Sequence, residues 1–283
     1  MLYLLNSDPN TFGGKIILAI IFAVLAYLLL YFAFRMTEMA YVIKHKKPLY
    51  NHFYFYLKKL DEQKKYILKN RFAFYKNLSK KEKKYFEHRV ALFIKDKDFI
   101  GIGENVITDE MRVLISATAV MLTFGFRDFY IAVISKIVVY PKQFYSNTNK
   151  AYHRGEFNPK LKTLVISWED FKAGFSDQSY NLNLGIHEFT HAIHINSIKQ
   201  RDISSTIFSD TFKELTKLLS INEALRDRLM ASNYFRTYVF TDKFEFVAVI
   251  IENFIETPQE FKLQFPIVYA KVRQMLNFNV AGY

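Results

Sequence analysis

Two histidines four positions apart, with a glutamate directly after the first, are the part of this 283-residue chain best equipped for chemistry: His187-Glu188-Phe189-Thr190-His191. On a helix, positions four apart lie on one face a turn apart, so His187 and His191 can converge on a single ion. Neutral imidazoles suit Zn2+, and three protein ligands leave a fourth position for water. Glu188 stands where it can take a proton from that water rather than bind the metal. This is the equipment for metal-assisted hydrolysis. The plainer alternative is a core helix, because Leu184, His187, His191, His194 and Ile198 form one stripe at 3,4 spacing.

Two histidines hold zinc poorly, so a third donor is expected downstream. The longer pattern with Gly and a third His is excluded, since His194 and Ser197 occupy those positions. With no cysteine in the chain, thiolate ligands and disulfides are impossible. That leaves a carboxylate on a later helix, with Glu214, Glu223, Glu245 and Glu252 as candidates. Asp242 stands three residues before Glu245, where the pair could instead form a capping box.

The elements that must position these groups follow from pattern. Ser79-Lys-Lys-Glu82 fits a capping box opening a helix through about Phe93. Helices are predicted over about Met111–Thr123, the stretch around His187, Asp210–Leu219, Asn222–Met230, Asp242–Ile255 and Glu260–Leu276. Strands are predicted over Ile134–Tyr140 and Thr163–Trp168. His153, in the loop between them, is expected at the surface.

Every residue from Ile16 to Phe34 is apolar or aromatic. As a helix this run covers roughly 28 Å, about the hydrocarbon thickness of a bilayer. Lys15 alone precedes it, whereas Arg35, Lys44, Lys46, Lys47, Lys58 and Lys59 follow, so the positive-inside rule directs the long C-terminal part to the cytoplasm. The formal net charge is +12, and much of the excess lies before residue 100. Interleaved with aromatics as in His52-Phe-Tyr-Phe-Tyr56, this segment suits anionic lipid headgroups. No nucleic-acid module is visible, and no nucleic-acid partner is expected.

From about Leu78 to Phe278 the chain resembles the zinc peptidases of the Mlc titration factor A family, whose catalytic core is similar to that of the anthrax lethal factor. The blocks that carry the resemblance are Thr108-Asp-Glu-Met-Arg112, Val138-Val-Tyr-Pro-Lys-Gln-Phe144, Leu164-Val-Ile-Ser-Trp-Glu-Asp170, Asn183-Leu-Gly-Ile-His-Glu-Phe-Thr-His191 and Glu245-Phe-Val-Ala248, in that order. The resemblance implies that Glu245 is the third zinc ligand and that Tyr238, seven residues earlier, points at the metal. It also implies that the strand Leu164–Ser167 is a sheet edge along which a substrate peptide lies. Relatives often carry Asp where this chain has His194, which could alter the surroundings of the ligands or bind a further ion.

The expectation is thus an α+β, mostly α, zincin-like peptidase with a small sheet, preceded by one transmembrane helix. Residues 1–14 form a short tail outside the cytoplasm, 15–35 the span, 36–77 a basic juxtamembrane segment and 78–283 the catalytic domain. His187, His191 and Glu245 hold Zn2+, Glu188 is the general base and Tyr238 supports the oxyanion of a peptide or protein substrate. The site is a cytoplasmic domain on the inner membrane. The alternative is a tethered protein of the same family that sequesters a transcriptional regulator with little peptidase activity.

Overall fold

The computed structural model describes residues 12–103, 106–146, 150–176, 183–232, 234–235 and 242–283. Two compact units divide the chain at His45 and Lys46. The first carries helix α1, Phe12–His45, 34 residues long. Among the described residues it is the one helix long and apolar enough to cross a membrane. At 1.5 Å per residue it measures about 51 Å, so the helix outlasts its own apolar run by several turns.

The second unit is mostly helical around a small sheet. Its elements are α2 (Glu62–Arg71), α3 (Ala73–Asn77), α4 (Lys80–Asp96), β1 (Asp98–Gly101), α5 (Asp109–Leu122), β2 (Lys136–Tyr140), β3 (Phe144–Ser146), β4 (Ala151–His153), β5 (Gly155–Asn158) and β6 (Thr163–Ser167). There follow α6 (Trp168–Ser176), α7 (Leu184–Lys199), α8 (Ile203–Ile221), α9 (Glu223–Ala231), α10 (Lys243–Glu256), α11 (Pro258–Gln264) and α12 (Pro266–Met275). The mostly helical α+β architecture expected from the sequence is what the chain adopts.

The four-stranded sheet has the order β1-β2-β6-β5. β1, β2 and β6 run parallel, with Gly101 beside Val139 and Val139 beside Ile166, and β5 returns antiparallel with Gly155 beside Ile166. Parallel neighbours need a crossover, and α5 supplies it between β1 and β2. Ile137 and Val139 of β2 and Leu164 and Ile166 of β6 are buried on alternate positions, as period-2 strands with one covered face require.

This order corrects one expectation. β6, which carries Leu164–Ser167, is not an edge; it lies between β2 and β5, and the edge beside it is β5. The reason is the return of the chain at Asn158, whose side chain accepts from the amides of Lys160 and Leu161 and closes the turn that lays β5 against β6. The predicted last helix is likewise two. Pro266 cannot donate to the preceding turn and holds Phe265 at φ −133°, which ends α11 and starts α12.

The core is continuous. From the segment before residue 78, Leu60, Leu68, Phe72, Phe74 and Tyr75 are buried in the same cluster as α4, α5, α7 and α10. Two helices in it are covered on nearly every side. α5 is buried from Met111 through Leu122 apart from Arg112. α10 is buried without a break from Phe246 to Ile255. α7 packs against α5, α8, α10 and β5, so its position is set from four directions.

Candidate metal centre

α7 begins at a defined cap. The Asn183 side chain accepts from the Ile186 amide at 3.1 Å and donates to the Gly174 carbonyl at 3.0 Å, tying the helix start to α6. Phe189, Ala192 and Ile193 anchor the buried side of the helix. That fixes its rotation and leaves His187 and His191 facing α10.

α10 answers with Glu245 in its first turn. The expected alternative for this residue, a capping box, is absent: Asp242 accepts from the Phe244 amide at 2.8 Å, and Glu245 turns to the histidines. Its Oε1 lies 3.3 Å from His191 Nε2 and its Oε2 lies 3.4 Å from His187 Nε2. The two Nε2 atoms are 3.0 Å apart.

These distances can be compared with what a metal requires. A tetrahedral Zn2+ with legs of about 2.0–2.1 Å has ligand-to-ligand edges of roughly 3.3 Å. The Nε2–Nε2 separation is a little shorter than that figure and each imidazole meets one carboxylate oxygen close to it, and among the described residues His187, His191 and Glu245 form a cluster able to hold an ion. The nitrogen and carboxylate donors are those that first-row divalent metals take. The residues fit the group.

Without a metal the same acids act on protons. Burial disfavours a charged His187, yet its contacts with Glu245 and Glu252 prevail and push the imidazole up to about 10. The hydrogen bonds to His187 and His191 hold Glu245 well below the usual carboxylate range. Glu188 goes the other way: it is buried, and burial raises its carboxyl although both histidines pull against it. It sits against β5, where the place a Cβ would take on Gly155 lies 2.8 Å from Glu188 Oε1.

The remaining expected residues separate. Glu252 is in the neighbourhood, but on the far side of His187, 3.6 Å from Nδ1. Glu214 is in an ion pair with Lys271 at 2.8 Å, and Glu223 starts α9 in the first turn. His194 faces away into the rings of Phe208, Phe212 and Phe244. Burial and His191 push it down to about 4. His153 ends β4 half-buried. Tyr238 lies outside the described residues. Gly155 was not singled out in the sequence, where a glycine in a loop-like stretch carried no signal of the helix it abuts.

With the fold and the donor cluster described, the comparisons bear on identity. The model of the glucose-regulated metallo-peptidase M90 family matches residues 53–277. The chain belongs to that family. The resemblance to the Mlc titration factor A peptidases noted in the sequence therefore holds. This M90 chain is also similar to an uncharacterized protein of Synechocystis sp., 23% identical over 210 residues, which are 66% of this chain and 74% of the relative. The match to the M90 model begins before α2 and ends beyond α12, so it takes in both helices of the donor cluster and the sheet.

Proposed function

We propose that this M90 protein is a zinc-dependent peptidase anchored in the cytoplasmic membrane by α1, with its catalytic unit in the cytoplasm. What supports the reading is a single arrangement: the two imidazole Nε2 atoms and the Glu245 carboxylate lie within 3.4 Å of one another, with a buried carboxyl belonging to the residue next to one of them. His187, His191 and Glu245 would hold the metal. Zn2+ held there supplies a Lewis acid that polarises a carbonyl and makes water more acidic.

The chain's own groups do the rest. Glu188 takes the proton from the attacking water and passes it to the nitrogen as the carbon–nitrogen bond breaks. Its buried position keeps the proton affinity of that carboxyl high enough for both halves of the task. Tyr238 donates to the carbonyl oxygen as negative charge grows on it, a role worth about 10²–10³ in rate. Gly155 of β5 lies against Glu188, and β5, at the end of the strand order, offers main-chain groups to which an extended peptide can add.

Purified Glu188→Gln is expected to keep its metal and lose nearly all peptide cleavage. A variant that cleaves a peptide library at the parental rate removes the assignment. Orientation rests on the flanking lysines and has its own check, since the chain has no cysteine. A single cysteine at Tyr56, which is exposed, should react with an impermeant maleimide in inverted membrane vesicles and not in intact spheroplasts. The reverse pattern places the unit outside.

A further inference from the structure

Within the fully buried stretch Phe246–Ile255, Glu252 and Asn253 are the polar side chains. Asn253 donates to the Val249 carbonyl one turn back at 2.8 Å, a local bond. Glu252 reaches across to another helix instead. Its side chain is 2% exposed, and its Oε2 lies 3.6 Å from His187 Nδ1. A carboxylate taken that far from water is costly unless something compensates it.

The two nitrogens of His187 therefore face different acids. Nε2 looks toward Glu245 and His191 Nε2, and Nδ1 looks toward Glu252. Seven residues separate the two glutamates, so they stand two turns apart on one face of α10. One helix brings both a donor to the cluster and a brace to the ring beside it.

We propose that Glu252 is a positioning residue for the metal centre, its carboxylate facing Nδ1 of His187 at 3.6 Å and favouring the tautomer that carries its proton there and leaves Nε2 for the metal. The proposal rests on the zinc reading above. Spacing along the sequence left Glu245 and Glu252 both among four candidates for the third ligand; the geometry gives these two separate tasks. Carboxylate partners of this kind also raise the donor strength of an imidazole, and their loss typically weakens metal binding about 10–100-fold.

The test measures Zn2+ affinity of the full chain in detergent by competition with a chromophoric chelator, and the melting of the metal-free protein in parallel. Glu252→Gln keeps the shape and removes the charge; it should bind Zn2+ about 10–100-fold more weakly while its metal-free Tm stays near the parent's. Glu252→Leu, of similar bulk and without an acceptor, should lose at least as much. Unchanged affinity in both variants overturns the proposal. So does a loss of affinity matched by an equal loss of metal-free stability, which assigns Glu252 to the packing of α10. If the parent itself takes up no Zn2+, the peptidase reading fails and this proposal falls with it.

Discussion

Two regions of the molecule gather ionisable groups in its interior, and they do so with opposite partners. Between α7 and α10, Glu188, Glu245 and Glu252 surround two histidines. Around Arg89 of α4, which is fully buried, the partners are mostly neutral oxygens. The guanidinium donates to Tyr54 Oη at 2.6 Å and to the carbonyls of Thr123 at 2.8 Å, Asn51 at 3.1 Å and Phe126 at 2.7 Å. Its face lies 4.4 Å from the centre of the Phe129 ring. The second region is built around a cation the chain carries itself, covalently and at every pH. The first concentrates acid around imidazoles, which raises affinity for whatever cation arrives, a proton or a metal.

Paired variants put a number on that difference. Arg89→Met should leave several buried carbonyls without donors and cost about 3–5 kcal/mol, as breaking a buried charged network does. For a unit of this size that is a fall in Tm of roughly 6–20 °C, read by calorimetry or circular dichroism. Glu245→Gln, whose side chain is 32% exposed, should cost the metal-free protein less than about 1 kcal/mol, yet remove tight Zn2+ binding. Equal melting losses in the two variants would erase the distinction.

Much of the donor cluster was legible because its pattern is local. Four-residue spacing on a helix survives any tertiary context, and the Ser79–Glu82 capping box, present with both of its hydrogen bonds, is equally self-contained. Spacing alone did not choose between Glu245 and Glu252, since both lie on one face of α10; the resemblance pointed to Glu245, and the placement of α10 against α7 separates the two. β5 was missed for a related reason. All four of its residues are half-buried, so it has no alternation, and its existence depends on pairing with β6. α8 begins at Ile203 rather than near Asp210 because Asp202 caps it, its side chain accepting from the Ser205 amide at 2.8 Å, and the buried Ser204 and Ser205, polar in sequence, hid that start. Ser204 Oγ accepts from the Asp128 amide at 3.0 Å, a contact no local pattern announces. In the stretch 52–56, part of the basic segment expected to suit anionic lipid headgroups, the residues part company. Phe53, Phe55 and Tyr56 are exposed, while His52 stacks on Tyr85 and Tyr54 bonds to Arg89.

The acid sensitivity of the Arg89 region sharpens the comparison further. Burial first, then the charges of Arg89 and Lys81, push His52 down to about 3. Below about pH 6.5 the unfolded chain takes up a proton here that the folded chain refuses until about pH 3. Stability is therefore full above 6.5 and declines as the pH falls toward 3, the direction expected for a depressed folded-state pKa. His52→Phe, a ring for the same stack, should flatten that slope, recovering on the order of 2 kcal/mol near pH 4 in urea titrations. An unchanged slope would mean that this imidazole titrates freely.

The smallest expected effects come from two glycines, one per region, and they differ in kind. A methyl on Gly125, between the carbonyls that hold Arg89, would meet the backbone oxygen of Asn277 at 2.2 Å. Backbone cannot step aside, so Gly125→Ala should cost about 1–3 kcal/mol of stability. A methyl on Gly155 would meet Glu188 Cγ and Leu184 Cδ1, each at 2.7 Å. Those are side-chain atoms that can shift, so the fold should lose little. The shift displaces the proposed base, and a misplacement of that size should lower kcat about tenfold with Zn2+ content unchanged. If Gly155→Ala instead melts early and retains its specific activity, β5 serves the sheet and not the base.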